Sequence, residues 1–253
     1  MPVRYEERDG VAVITIDRPE ARNAVSPEVA RGIEEAIDRV EANSDVQVAV
    51  LTGVPPVFCA GADLKAIGEG RGDELSTERG GFAGVVRRER VKPLIAAVDG
   101  PALAGGLEIV LSCDLVVAST NARFGLPEPK RGLVAGAGGI FRLARKLPEN
   151  LALEVVLTGD PFDVDVARRF GLVNAVCEPG EALQTALELA GRITVNAPLA
   201  VRESRAVALA GIQDEEAAWQ RTYQATEVVM ASRDVQEGVR AFVEKRAPVW
   251  TGN

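Results

Sequence analysis

Apolar residues recur along the chain in two rhythms. Val11 to Ile16 and Val46 to Leu51 are short runs rich in valine and isoleucine, which read as strands. Between them, Pro27 to Val40 carries apolar residues at helical spacing behind Ser26. Pro93 to Val98 and Asp114 to Ala118 repeat the strand signal, and Gly105 to Ser112 between them suits a short helix. Alternation of this kind predicts an α/β fold with helices covering a largely parallel sheet. After about Asn121 the rhythm turns helical, over Ile140 to Leu147, Asn150 to Leu157, Val164 to Phe170 and Ala182 to Ile193. Residues 196–211 and 214–246 continue in amphipathic helical patterns, ending in Lys245 and Arg246 before Pro248. The expected organisation is a core domain over residues 1–195 and a helical C-terminal region over 196–253. A region without its own sheet packs on the core or on a neighbouring subunit. Gly68 to Gly84, rich in glycine and charge, reads as a mobile surface loop followed by a helix.

Composition narrows the chemistry. The 253 residues, 47% hydrophobic and 26% charged, suffice for a sizeable core. A formal charge of -8 disfavours nucleic acid, whose phosphates demand clustered Lys and Arg. Arg4, Glu6, Glu7, Arg8 and Asp9 rule out the apolar centre of a signal peptide, and no stretch is apolar enough to span a bilayer, so no membrane role and a cytoplasmic address are expected. Cys59, Cys113 and Cys177 lack disulfide or zinc spacing and read as free thiols. Asp163 and Asp165 read as caps of the following helix, not as metal ligands. The chain contains no histidine, which removes Ser-His-Asp and Cys-His nucleophiles and imidazole metal ligands. Acid-base chemistry therefore falls to carboxylates.

Glu108 and Glu128 are the candidates. Glu108 interrupts the apolar run Leu107 to Leu111, and Glu128 ends Phe124-Gly125-Leu126-Pro127-Glu128. A carboxyl held in apolar surroundings has its pKa pushed up, toward the range useful for proton transfer near neutrality. The alternative for Glu108 is a helix N-terminal charge favoured by the helix dipole, a reading that does not extend to Glu128. Two glycine loops, Ala60-Gly61-Ala62-Asp63 and Ala104-Gly105-Gly106, each follow a strand and open a helix, leaving N–H groups without intrahelical acceptors. Two such donors meeting at one oxygen would form an oxyanion hole. Spacing alone equally allows tight turns and close helix packing. The Gly132 to Gly139 segment lacks the Lys-Ser/Thr ending of a phosphate loop.

Longer motifs carry a family resemblance. Arg18-Pro19-Glu20-Ala21-Arg22-Asn23-Ala24, Phe58-Cys59-Ala60-Gly61-Ala62-Asp63-Leu64, Lys92-Pro93-Leu94-Ile95-Ala96-Ala97-Val98-Asp99-Gly100, Ala104-Gly105-Gly106-Leu107-Glu108, Phe124 to Glu128, Gly136-Ala137-Gly138-Gly139 and Ala241-Phe242-Val243-Glu244-Lys245-Arg246 follow in order. In letters, order and spacing the chain resembles the crotonase superfamily of enoyl-CoA hydratases and isomerases, nearly end to end. The resemblance implies a spiral of β-β-α turns followed by a helical region that assembles trimers, often paired into hexamers. It also implies a coenzyme A thioester as substrate, with no separate cofactor, in fatty acid or related acyl-CoA metabolism such as β-oxidation.

Position by position, the resemblance implies that the N–H groups of Ala62 and Gly105 hold the thioester oxygen. Arg22, Ala24, Ala60, Asp63, Leu64 and Lys65 match the CoA path. Phe242 and Lys245 match residues that reach the CoA nucleotide from an adjacent subunit in some relatives, although Lys245 equally reads as a solvated helix-end charge. Hydratases of the family carry both glutamates, so the implied activity is water addition across C2–C3 of a trans-2-enoyl-CoA. Glu128 would exchange the C2 proton while Glu108 positions the water. Alternatives are a double-bond isomerase, a carnitinyl-CoA dehydratase-like enzyme, suggested by Glu244 to Trp250, and a catalytically silent acyl-CoA binder. Ala104 and Ala135 depart from the family's usual glycine and proline.

Overall fold

Asp9 and Gly10 both take positive φ, 49° and 78°, the geometry that a two-residue hairpin requires. They join β1 (Val3–Arg8) to β2 (Val11–Ile16) in antiparallel register from Val3 opposite Ile16 to Arg8 opposite Val11. Because β1 is a largely exposed edge strand, its sequence is charged and shows no apolar run. The structure, a computed structural model, describes residues 1–211 and 215–252, with side chains outside that description at 215–218, 242 and 243.

Helix α1 (Pro27–Ala42) begins where the Ser26 side chain accepts the Val29 N–H at 3.3 Å, and it buries Val29, Ala30, Ile33, Ala36, Ile37 and Val40 on one face. It leads into β3 (Val48–Gly53), parallel to β2. Next come α2 (Leu64–Gly68), the short hairpin β4 (Ser76–Thr77) with β5 (Gly81–Phe82), and β6 (Leu94–Val98). The helix expected after the Gly68–Gly84 segment does not form. Positive φ at Gly81, Ala83 and Gly84 turns the chain instead, and a β-carbon on Gly84 would lie 2.3 Å from the Ala30 carbonyl of α1.

After β7 (Ala102–Leu103) and α3 (Gly105–Ser112) come β8 (Leu115–Ser119) and β9 (Arg123–Gly125). Helices α4 (Gly139–Lys146) and α5 (Glu149–Thr158) precede β10 (Phe162–Asp163), α6 (Val164–Arg169), β11 (Ala175–Cys177) and α7 (Ala182–Thr194). The all-helical reading beyond Asn121 is thereby corrected, since β9 to β11 are two or three residues long and too short to show a period. Asp163 caps α6 by accepting the Val166 N–H at 3.0 Å.

The six-stranded sheet runs β1-β2-β3-β6-β8-β11 and is parallel from β2 onward. Its inner strands β2, β3, β6 and β8 are buried on both faces, and alternate residues sort cleanly. Val48, Val50, Ile95, Ala97 and Val117 meet Ala182, Ala186 and Ala190 of α7, while Ala49, Leu51, Ala96, Val98 and Val116 face the larger core with α1 and α3. The alanine stripe at i, i+4 lets α7 approach the sheet closely. A second ladder, β10-β9-β7, extends through bridges at Cys59–Ala102 and Val25–Ala62.

Helices α8 (Pro198–Gly211), α9 (Glu215–Met230) and α10 (Arg233–Glu244) follow. Arg205 of α8 anchors to the core, donating to the Arg90 carbonyl at 2.6 Å and pairing with Asp114 at 2.9 Å. On α9, Trp219 and Tyr223 stack on each other and stay exposed. Among the described residues no helix is long and apolar enough to cross a membrane.

Candidate active site

The turns after β3 and β6 carry the chain from the C-terminal ends of parallel strands into one cleft of about 1240 Å³. These turns are tightly fixed. Asn23, fully buried, accepts the Arg18 N–H and donates to the Val54 and Val57 carbonyls at 2.8 and 2.6 Å. Gly106 must lack a side chain, because a β-carbon there would lie 2.1 Å from the Cys59 carbonyl.

At the cleft the two glycine loops touch. A β-carbon on Gly61, where φ is 95°, would lie 2.8 Å from the Ala104 side chain and 3.0 Å from the Gly105 nitrogen. Among the described residues, neither the Ala62 N–H nor the Gly105 N–H has a protein acceptor, and both residues line the cleft. Their neighbours are committed: the Asp63 N–H donates to the Val25 carbonyl at 2.9 Å and the Ala104 N–H to that of Gly125 at 2.9 Å. Ala104 adopts φ 52° and ψ -128°, a conformation natural to glycine that costs other residues on the order of 1–3 kcal/mol. The departure noted at this position therefore places strain beside the Gly105 donor.

Glu108 sits in the first turn of α3 and is 4% exposed. Its Oε1 accepts the Ala137 N–H at 2.7 Å and the Gly139 N–H at 2.9 Å, and no described residue donates to Oε2. Burial raises its pKa, while the two N–H donors and the Arg142 charge pull it back down. Glu128 begins a 3-10 turn, Glu128–Arg131, that closes at Gly132 with φ 69°. Its Oε2 is buried without any described hydrogen-bond donor. Burial again raises the pKa and the Glu108 charge raises it further, while the backbone N–H of Glu128 itself and, less, Arg131 work against both. Both carboxyls line the same cleft, near enough to feel each other's charge.

Arg22, Ala24, Ala60, Asp63, Leu64 and Lys65 all line this cleft too. Asp63 is already engaged: it caps α2 through the Lys65 N–H at 3.0 Å and receives both Arg18 terminal nitrogens at 3.0 Å. Burial opposes its charge, yet Arg18 and the backbone donors win and hold its carboxyl below the usual range. Lys65 and Leu64 are exposed. Lys245, exposed at the end of α10, does not line the cleft of its own chain, and the Phe242 side chain lies outside the described residues. Ala135 is buried beside Leu133 and Val134, which are exposed and line the cleft.

Sequence reasoning missed Arg18 and Arg142, whereas Phe82 lies in the 82–86 stretch expected to wall the acyl pocket and does line the cleft. Arg18 ties Ala24 to Asp63, and Phe82 packs so closely on Gly105 that a β-carbon there would lie 2.4 Å from its ring. Arg142 donates to the Ala137 carbonyl at 3.1 Å and to that of Val86 at 2.6 Å. Only the short distance from Arg142 to the Gly136–Gly139 loop could have drawn attention to it. Among the described residues no cluster of three or more His, Cys, Asp or Glu could hold a metal ion.

Two carboxyls and a pair of free backbone donors thus line one cleft of an α/β fold. The chain matches the enoyl-CoA hydratase/isomerase family model over residues 6–253, and it belongs to that family, within the crotonase superfamily. It is 41% identical over 249 residues to the enoyl-CoA hydratase EchA19 of Mycobacterium tuberculosis, covering 96% of this chain and 94% of that protein. It is 38% identical over 246 residues to the carnitinyl-CoA dehydratase of Salmonella typhi, covering 94% of each. The crystal structure of the enoyl-CoA hydratase EchA1 from Mycobacterium marinum superposes with a TM-score of 0.96 at 43% identity, over 100% of this chain and 99% of that one.

Proposed function

We propose that the protein is a hydro-lyase, an enoyl-CoA hydratase that adds water reversibly across the C2–C3 double bond of a trans-2-enoyl-CoA. The observation that carries this reading is the pairing of a buried carboxyl, Glu108, with a half-buried one, Glu128, whose partners differ, in one cleft. Glu108, held by two N–H donors, is the better-fixed carboxylate and orients the water. Glu128, with an unpaired buried oxygen and a pKa raised by burial and by Glu108, is the better proton carrier.

In this reaction the water oxygen bonds to C3 and releases a proton to Glu108. The C2–C3 π electrons move toward the thioester, whose oxygen is stabilised as an enolate by the Ala62 and Gly105 N–H groups. The enolate then collapses, and C2 takes the proton carried by Glu128. The two carboxyls hold one proton between them before and after the reaction and two while the enolate stands, so their titration belongs to the pair. Coenzyme A enters as part of the substrate, along the path formed by Arg22, Ala24, Ala60, Asp63, Leu64 and Lys65, and no separate cofactor takes part.

Residues 1–195 form the spiral core of β-β-α turns, and 196–253 form a helical region that assembles a trimer or a pair of trimers. The exposed Trp219, Tyr223 and Met230 of α9 support that assembly, and the sheet-covering α7, ending at Thr194, supports the boundary at 195. In the assembly, Phe242 and Lys245 reach the CoA nucleotide of a neighbouring subunit.

A panel of enoyl-CoA thioesters differing in length and head group tests the proposal. Loss of the conjugated double bond with gain of one water by mass is expected. Double-bond migration without added mass, or no turnover of any member, would replace hydration by isomerisation or by simple binding.

A further inference from the structure

Glu108 does not choose its own position. The two N–H groups that hold its Oε1 belong to the 136–139 loop, and a single side chain reaches across that loop from the first turn of α4. Arg142 donates one terminal nitrogen to the Ala137 carbonyl and the other to the Val86 carbonyl. Val86 lies on the opposite wall, in the segment that includes Phe82, whose ring packs on Gly105. One guanidinium therefore ties the loop holding a carboxylate to the wall supporting an oxyanion donor. The fit leaves little slack, since a β-carbon on Gly138 would lie 2.5 Å from the same Arg142 nitrogen.

The arginine is half-buried, and burial works against its charge. The ionisable groups acting on it are Glu108, Arg145, Arg90 and Cys113, and of these Glu108 is the carboxyl that favours its charged form. In return the Arg142 cation favours ionised Glu108, while Glu128 nearby carries the like charge.

We propose that Arg142 is a positioning residue for hydration, clamping the 136–139 loop against Val86 and so holding Glu108 where it orients the water. The inference rests on the hydratase reading above. It assigns Arg142 no contact with the thioester, so its effect falls on kcat more than on KM. A fork of two hydrogen bonds with fixed geometry also distinguishes Arg142 from a lysine, which brings a point charge without the bridge.

The test compares Arg142→Met and Arg142→Lys with the parent in crotonyl-CoA hydration across pH. Arg142→Met is expected to lower kcat about 100-fold, the scale of a small misplacement of a reacting group, with little change in KM. Its acidic limb of kcat against pH should move to higher pH, because Glu108 without the cation gains its proton sooner. Arg142→Lys should keep the parental limb with an intermediate kcat. Parental kcat in Arg142→Met, or a lowered kcat on an unmoved limb, would overturn the proposal. If the methionine variant does not fold, parental kcat in Arg142→Lys overturns it and a reduced kcat on the parental limb supports it. A parent that does not hydrate crotonyl-CoA or any longer thioester would instead sink the hydratase reading itself.

Discussion

Gly139 donates its N–H to Glu108 Oε1 at 2.9 Å, and a β-carbon on Gly139 would lie 2.7 Å from Glu108 Cγ and 3.0 Å from that same oxygen. Donor and steric limit are thus one residue. Gly139 opens α4, where alanine would ordinarily stabilise a helix by roughly 0.5–1 kcal/mol. The clash with Glu108 opposes that gain. Gly139→Ala is expected to lower the hydration kcat by about 100-fold through displacement of Glu108, with a much smaller change in KM. Steady-state kinetics on crotonyl-CoA check it, and parental kcat would show that Glu108 need not sit where the loop holds it.

Gly61 plays the matching part for the oxyanion donors. With φ at 95° and Ala104 2.8 Å from its would-be β-carbon, alanine there separates the loops that bear the Ala62 and Gly105 N–H groups. Loss of one donor in an oxyanion hole lowers kcat by about 100- to 1000-fold, and Gly61→Ala is expected to fall in that range. A binding measurement with a non-reactive saturated acyl-CoA should show a far smaller loss. Equal losses in both would mean that the loops serve binding alone.

Stability should respond to pH through Glu108. Its pKa is raised in the folded protein, chiefly by burial, so folding favours its protonated form. The associated stability is fully present below the unfolded carboxyl pKa and is lost as pH rises through the folded value. Glu108→Gln removes that loss while its amide oxygen can still accept both loop N–H groups. The variant should therefore melt above the parent at about pH 8, with the advantage shrinking toward about pH 5. A melting temperature below the parent at the higher pH would contradict this.

Much of the fold was legible in the chain because its long elements carry strong periods. The apolar runs of β2, β3, β6 and β8 and the stripe of α1 emerge where the sequence reading puts them. What escaped has a physical cause in each instance. β1 is a charged edge strand, β9 to β11 are too short for a period, and the Gly81–Gly84 turn replaces a helix because Gly81, Ala83 and Gly84 take positive φ. Within the cleft, Glu108 and Glu128 stood out as charges against apolar neighbours. Arg142 and Arg18 did not, since an arginine that bonds to distant carbonyls spells the same as one in solvent.

The most direct measurement is kcat/KM for crotonyl-CoA hydration in Glu108→Gln, Glu128→Gln and the double variant. If both carboxyls act on one water, each single change should lower the rate by about 100- to 10,000-fold, and the double variant should be little slower than the worse single one. Near-parental hydration by either single variant would contradict the shared-carboxylate mechanism.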